Sequence, residues 1–211
     1  MTQHDDDAHR EVSSAADNED RSPQARADAA RDARAAVDAV GALPDLTGTA
    51  VVVMGISGSG KSALALRLTE AFGVPYAEAD DFHSPEAIAT MHGGTPLTDE
   101  DRWPWLGRIR DWLSRPECAG GAVVTCSALK RSYRDLLADA PVRVRFLHVQ
   151  AGVDEIQDRM EHRSHFMPAS LLPSQLATLQ PLQEGEDGVV LANESTLQDL
   201  TERALRVLSQ H

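Results

Sequence analysis

A glycine-rich segment early in the chain limits the possible folds more than any other feature. The segment GISGSGKS at 55–62 follows the apolar run 50–54 and precedes the helical pattern 63–68. A strand, a glycine loop and a helix in this order form a phosphate-binding P-loop, in which backbone N–H groups converge on phosphate oxygens at the positive end of the helix. The segment therefore predicts a site for a nucleoside triphosphate.

Two side chains of this motif have defined chemistry. Lys61 can reach the β- and γ-phosphates, and the Ser62 hydroxyl can ligate Mg²⁺. The chain has 20 basic residues, of which only Lys61 and Lys130 are lysines. At such a place a compact, flexible ammonium suits phosphate better than a planar guanidinium. Because Lys130 is the second lysine in an arginine-rich chain, it is also a candidate for binding an anionic ligand. The predicted nucleotide-binding residues are Gly55, Ser57, Gly58, Ser59, Gly60, Lys61, Ser62 and Ala63.

Composition excludes several classes of function. The formal net charge of −13 disfavours nonspecific binding to nucleic acid or to an anionic membrane, because both need a basic face. Cys118 and Cys126 lie in no CxxC pair, so neither a disulfide framework nor a zinc ribbon is indicated. The first residues lack a basic and apolar leader, and no apolar run is long enough to span a bilayer. We expect a soluble cytoplasmic protein.

The segments after residue 48 alternate between short apolar runs and longer amphipathic ones. This alternation predicts an α/β fold of three layers, a parallel sheet with helices on both faces. In such sheets, ligands bind beyond the carboxyl ends of the strands. The predicted strands are 50–54, 75–79, 122–126, 143–149 and 188–192, and the predicted helices lie near 61–72, 84–91, 102–114, 130–138, 152–162, 171–179 and 196–209.

The first 48 residues differ in composition from the rest. Residues 1–21 are polar and acidic, and we expect them to be disordered. From Ser22 to Val40 a helix is possible, with Pro23 in its first turn and Gly41 after its end. Its only large apolar residues are Val37 and Val40, which are too few to predict that the helix docks on the domain. We therefore divide the chain into a largely disordered extension, 1–48, and a P-loop domain, 49–211.

A pair of acids follows the second predicted strand. Asp80 and Asp81, with His83, fall at the sheet edge where the P-loop also opens. Phosphoryl transfer to a hydroxyl needs an oriented acceptor, and a carboxylate is the usual group that receives the alcohol proton. Asp80 is the candidate base, although it can equally act as an orienting group. The third strand ends without an acid, so Ser62 and Asp80 are the predicted Mg²⁺ ligands.

Two further groups of basic residues are candidates. If a helix begins near Leu129, then Lys130 and Arg134 share one face as a cationic patch able to hold a carboxylate, or else they pair with nearby acids. Arg159 and Arg163 come before a break at Pro168 and predict a short lid that closes over the γ-phosphate, or else they interact with a helix end. His162 and His165 have no further Cys/His cluster nearby, so zinc is not predicted.

Four blocks of sequence together resemble the small P-loop gluconokinases of the thermoresistant type, which are related in fold to shikimate and adenylate kinases. The resemblance covers about 49–211. The blocks are GISGSGKSALA at 55–65, ADDFHSPEAIATMHGGTPLTDEDRWPWL at 79–106, CSALKRSYRDLL at 126–137 and HFMPASLLPSQLATLQ at 165–180.

The resemblance implies ATP- and Mg²⁺-dependent transfer of a phosphoryl group to the 6-hydroxyl of D-gluconate, giving 6-phosphogluconate for the pentose phosphate route, by a homodimer. It implies catalytic roles for Lys61, Asp80 and Arg163. It places acceptor contacts at Asp80, His83, Lys130, Arg134 and His165. Two alternatives stay open: a kinase of the same fold for another small acceptor, such as shikimate or a nucleoside monophosphate, and a nucleotide-dependent switch acting through the 1–48 extension.

Overall fold

The computed structural model describes residues 23–162 and 169–210, which form a parallel sheet covered by helices. The strands are β1 (Thr49–Met54), β2 (Tyr76–Glu78), β3 (Ala122–Cys126), β4 (Arg143–Gln150) and β5 (Gly188–Ala192). The α-helices are α1 (Pro23–Val40), α2 (Lys61–Phe72), α3 (Pro85–His92), α4 (Asp99–Leu113), α5 (Arg131–Ala138), α6 (Val153–His162), α7 (Leu172–Thr178) and α8 (Leu197–Leu208).

The strands follow the order β2-β3-β1-β4-β5, and every pairing is parallel. The central strand β1 is apolar on both faces, and its residues from Ala50 to Met54 are fully buried. Its Val52 pairs with Val124 of β3 on one side and with Phe146 of β4 on the other. A continuous run of β-branched residues is typical of such a strand, because helices cover both faces of a parallel sheet.

Two apolar cores fill the space between the sheet and its helices. On one face, Val52 and Met54 pack with residues of α4 and α5, including Trp105 and Leu137. On the other face, Val51 and Val53 pack with residues of α2 and α8. The predicted three-layer α/β fold is confirmed. The helix α4 begins at Asp99, earlier than predicted, because Thr98 and Asp101 form a reciprocal capping box there.

The helix α1 corrects one expectation about the extension. Residues 23–40 dock onto α2 and α8, and Ala33 and Ala36 are almost fully buried in that contact. Small side chains let the helices approach closely, so few large apolar residues are needed, and Asp32 of α1 forms an ion pair with Arg67 of α2. The expected disorder of 1–21 lies outside the described residues, and the boundary at 48 stays a prediction.

Among the described residues, no helix combines the length and the apolar character that a membrane crossing requires.

Docking of α1 is tested by two alanines of the same helix. Ala36→Leu adds volume at a buried contact and should lower the free energy of unfolding by about 1–3 kcal/mol. Ala30→Leu, at an exposed position of α1, should leave it within about 0.5 kcal/mol. Urea denaturation followed by circular dichroism measures both. Equal stability of the two variants would mean that α1 is detached in solution.

Candidate active site

The candidate site lies at the carboxyl edge of the sheet, around the loop that follows β1. Since β1 lies between β3 and β4, this loop is flanked by the ends of two neighbouring strands, at the point where the strand order reverses. The turn after β2 and the loop after β3 reach the same edge. The topology therefore brings the P-loop, Asp80 and the residues near Lys130 to one side of the domain.

Two glycines of the loop have no room for a side chain. Gly55 has φ 138°, and a Cβ there would lie 2.5 Å from the carbonyl oxygen of Val149. Gly60 has φ 101°, and a Cβ there would lie 2.6 Å from Nδ2 of Asn193. Both the left-handed backbone and the close approach require glycine, so the loop is held tightly against β4 and the start of the β5–α8 connection.

Three side chains from three different elements hold consecutive residues of the loop. We call Gln175, Arg159 and Asn193 the loop-holding side chains. Arg159 of α6 donates to the Gly58 carbonyl at 3.2 Å, and Asn193 donates to the Ser59 carbonyl at 2.9 Å. Gln175 of α7 accepts from the Ser57 N–H at 2.8 Å and donates to the Ser57 hydroxyl at 3.2 Å. The N–H of Ser57, a predicted nucleotide contact, thus donates to a protein side chain in this conformation.

Lys61 begins α2 and is half-buried beneath the loop. Its ammonium donates to the carbonyl of Ile56 at 3.0 Å. Burial lowers the pKa of Lys61, while the neighbouring carboxylates of Asp80 and Glu78 act to raise it. The charge of Lys61 therefore interacts with that of Asp80, the acid that sequence analysis assigns to the acceptor.

Glu78 is a site residue that the sequence analysis missed. Its carboxylate, at the end of β2, accepts hydrogen bonds from Tyr76 and Thr125. The available signal was its position at the end of the second strand, because ligands bind beyond the carboxyl ends of the strands in a parallel sheet.

The predicted Mg²⁺ site has suitable donor chemistry. Ser62, Asp80 and Glu78 supply the hard oxygen donors that Mg²⁺ prefers, and this ion usually takes only one or two protein carboxylates together with substrate phosphates. The described residues contain no group of three or more His, Cys, Asp or Glu side chains that forms a complete metal site. The donor set fits a metal that is shared with the nucleotide.

Asp80 and Asp81 both lie in the turn Ala79–Phe82, but their surroundings differ. Asp80 is half-buried and interacts with Lys61, whereas Asp81 is exposed. The indole of Trp105 donates to the Ala79 carbonyl at 2.6 Å and so holds the turn against α4. The structure thus favours Asp80 over Asp81 as the functional carboxylate.

His83 stacks on the ring of Trp105, with ring centroids 4.4 Å apart and planes inclined by 9°. Burial, aided by the charges of Arg108 and Arg102, lowers the pKa of His83 to about 4. The imidazole is therefore neutral at neutral pH and can serve as a hydrogen-bonding partner for a hydroxyl.

Lys130 precedes α5 and is paired with an acid from α4. Its ammonium lies 2.7 Å from both carboxylate oxygens of Asp99, which also accepts from the hydroxyl of Tyr133. Arg102 lies 3.9 Å from the same carboxylate. Hydrogen bonding to Asp99 raises the pKa of Lys130. The two cations against one carboxylate leave this group with one net positive charge.

Arg134 does not join Lys130 in a cationic patch. Lys130 has extended backbone before the first turn of α5, so the helical i, i+4 relation does not apply to the pair. Arg134 is 1% exposed, pairs with Glu186, and donates to the carbonyls of Ala128, Leu129, Gln180 and Pro181. It holds the loop after β3, where Ala128 has the left-handed φ of 42°. The prediction that Arg134 contacts substrate is not supported by this geometry.

Two predicted site residues, Arg163 and His165, lie outside the described residues, as does most of the predicted lid. Their roles stay predictions.

A buried histidine lies next to the loop on β4. His148 is 1% exposed, and its ring approaches Gly55. Burial, with the charges of Arg134 and Lys61, lowers its pKa to about 4. The folded protein therefore holds this imidazole neutral in a region where a second positive charge would be costly.

No protein-family model matches the chain, but three relatives found by comparison with known proteins are kinases of sugars or sugar acids. The chain is 44% identical over 158 residues to a gluconokinase of Gluconobacter oxydans, an alignment that covers 74% of this chain and 89% of the relative. Among solved structures, a sugar kinase from Janibacter sp. HTCC2649 is similar at 52% identity and a TM-score of 0.72, covering 76% of this chain and 94% of that one. A gluconokinase from Sinorhizobium meliloti 1021 is similar at 42% identity and a TM-score of 0.70, covering 78% and 93%.

Substitution of His148 should change how stability depends on pH. The unfolded chain binds this proton near pH 6.5 and the folded protein near pH 4, so stability falls as pH drops through that window. Between pH 7 and pH 5 one such histidine removes about 2 kcal/mol. His148→Gln should make the loss smaller by about that amount. Denaturant titration at the two pH values measures it, with His92→Gln, at the exposed end of α3, as the control. Equal losses in all three proteins would contradict the assignment.

Proposed function

Because the chain belongs to the gluconokinase family, we propose that it transfers the γ-phosphoryl group of ATP to the 6-hydroxyl of D-gluconate and releases 6-phosphogluconate. The observation that supports this most directly is that Lys61, at the start of α2, and Asp80, directly after β2, lie at the same edge of the sheet and interact electrostatically. A kinase needs a cation for the transferred phosphoryl group and a carboxylate for the acceptor hydroxyl at one place.

The nucleotide is held by the loop and by the first turn of α2. Backbone N–H groups at Gly58 and from Gly60 to Ala63 surround the phosphates at the positive end of the helix. Lys61 exchanges the Ile56 carbonyl for phosphate oxygens, since its ammonium is a flexible point charge. Its charge then compensates the negative charge on the transferred group.

The acceptor is oriented by Asp80. Its carboxylate accepts a hydrogen bond from the 6-hydroxyl and turns the oxygen toward the γ-phosphorus. In a loose transition state, this orientation contributes even where proton transfer is late, so Asp80 acts as an orienting group, a base, or both.

Mg²⁺ is part of the proposal, held by Ser62 and Asp80 with Glu78 nearby. When bound, it neutralises charge on the β- and γ-phosphates. Glu78 is fixed by its hydrogen bonds from Tyr76 and Thr125, so it offers a rigid negative charge beside Lys61.

The carboxylate of gluconate needs a cation, and the Lys130 group is suited to it. The excess positive charge shared by Lys130 and Arg102 remains after Asp99 is counted. We assign the neutral ring of His83 to a hydroxyl of the same acceptor. Arg163 and His165 stay in the proposal as residues that contact the γ-phosphate and the acceptor.

We also propose that the protein acts in the cytoplasm as a homodimer, on the strength of the family resemblance. Light scattering coupled to size-exclusion chromatography measures the mass, and a monomer of 22.8 kDa would contradict the dimer.

The function is tested by ADP release from Mg-ATP with D-gluconate, shikimate, AMP, other sugar acids or no acceptor. D-gluconate should stimulate release strongly, and Lys61→Ala should abolish it while the far-ultraviolet circular dichroism stays unchanged. Stimulation by shikimate or AMP instead would assign another acceptor. ATP hydrolysis that no acceptor changes would favour a nucleotide-dependent switch.

The role of Asp80 is tested against its neighbour. Asp80→Asn keeps the shape but weakens the acceptor contact, so kcat should fall about 10²–10⁴-fold at nearly unchanged ATP affinity. Asp81→Asn, at the exposed position, should keep kcat within about threefold. Steady-state kinetics with both substrates varied gives these constants. A variant Asp80→Asn that chiefly loses ATP affinity would remove Asp80 from the acceptor side.

A further inference from the structure

Two hydrogen bonds join the side chain of Gln175 to Ser57 of the P-loop. The amide oxygen of Gln175 accepts from the Ser57 N–H at 2.8 Å, and its amide nitrogen donates to the Ser57 hydroxyl at 3.2 Å. Gln175 is 5% exposed and Ser57 is half-buried. A buried side-chain amide with both ends engaged is a fixed support, because breaking either bond strands a polar group.

This support acts on Lys61 through a single peptide unit. In a planar trans peptide the N–H and the preceding C=O point in opposite directions. The Ser57 N–H points to Gln175, so the Ile56 carbonyl of the same unit points away from it. That carbonyl accepts from the Lys61 ammonium at 3.0 Å and from the Ser59 N–H at 3.3 Å. One peptide plane therefore connects Gln175 on one side with Lys61 on the other.

The base of Gln175 is itself anchored. The helix α7 places Leu172 in an apolar cluster with Ile56, Ile156 and Met160, and Ile56 belongs to the P-loop. The side chain of Gln175 thus extends from a helix that already packs on the loop it supports. The other two loop-holding side chains, Arg159 and Asn193, bind carbonyl groups of Gly58 and Ser59 instead. Of the three, Gln175 is the one that fixes an N–H of the loop.

We propose that Gln175 is a positioning residue for ATP binding, which orients the Ile56–Ser57 peptide and thereby sets the place of Lys61 and the shape of the P-loop. The proposal rests on the proposed function only in taking ATP as the nucleotide. Gln175 does not contact the phosphates in this account. It keeps the loop in one conformation before the nucleotide arrives, which lowers the cost of ordering it on binding.

The test compares Gln175→Met with Ser57→Ala. Methionine keeps the length and the packing but offers no amide, so the Ser57 N–H loses its acceptor in the protein and the peptide can rotate. The dissociation constant for Mg-ATP, measured by calorimetry without an acceptor, should rise about tenfold. Ser57→Ala keeps the N–H bond to Gln175 and loses the hydroxyl contact, so the constant should rise less than it does in Gln175→Met.

The matched control is Gln180→Met. Gln180 also accepts from a backbone N–H, that of Arg131, at 2.7 Å, but it serves the start of α5 and not the P-loop. Its loss should leave ATP affinity within about twofold of the wild type. Thermal unfolding of each variant shows whether the fold is kept.

Kinetics separates positioning from general damage. If Gln175 positions the loop, the KM for ATP should rise about tenfold in Gln175→Met while the KM for D-gluconate changes less than about twofold. Three results would overturn the proposal: unchanged ATP affinity in Gln175→Met, an equal loss in Ser57→Ala, or an equal rise of both KM values. The calorimetry needs no acceptor. A wild type that binds ATP but does not phosphorylate gluconate would therefore refute the proposed function, while the ATP affinities of the variants would still test the role of Gln175.

Discussion

The rest of this structure depends on one constraint: a loop that binds anions through its amides must direct its carbonyls elsewhere. In this protein the carbonyls of Gly58 and Ser59 accept hydrogen bonds from Arg159 and Asn193. Each partner comes from a different element, and each element reaches the loop because β1 is the central strand. The parallel sheet order is therefore more than a scaffold, since it brings α6 and the β5–α8 connection close enough to the loop to hold it.

Local patterns predicted the parts of the site that are encoded locally. The buried strands were readable from continuous apolar runs, and the P-loop from glycines and a lysine at fixed spacing. The supports of the loop were not readable, because Gln175 lies 118 residues from Ser57 and Asn193 lies 134 residues from Ser59. No spacing rule operates over such distances, and a glutamine within a helix gives no signal until the fold places it against the loop.

Arg134 and α1 show why local rules also gave wrong expectations. The i, i+4 rule for Lys130 and Arg134 assumed that both residues are helical, but Lys130 is extended and Arg134 turns inward to Glu186. For α1, a count of large apolar residues underestimated docking, because Ala33 and Ala36 permit close helix packing. In both cases the contact depends on a partner that is distant in sequence: Glu186 for Arg134, and the helices α2 and α8 for α1.

The charges around the site explain how an acidic protein can handle anionic ligands. Lys61 faces Asp80 and Glu78, Lys130 is paired with Asp99, and Arg159 is paired with Glu155. Each of these three cations therefore has a carboxylate partner among the described residues, and Arg102 beside Asp99 leaves the Lys130 group with one net positive charge. An anionic ligand must exchange partners with these carboxylates. Such an exchange favours ligands that also compensate the charge of the carboxylates left behind. A nucleotide that binds with a divalent cation supplies a positive charge. A hydroxyl-rich acceptor supplies hydrogen-bond donors. The carboxylates that pair with these cations in the absence of ligand thus contribute to the selectivity of the site.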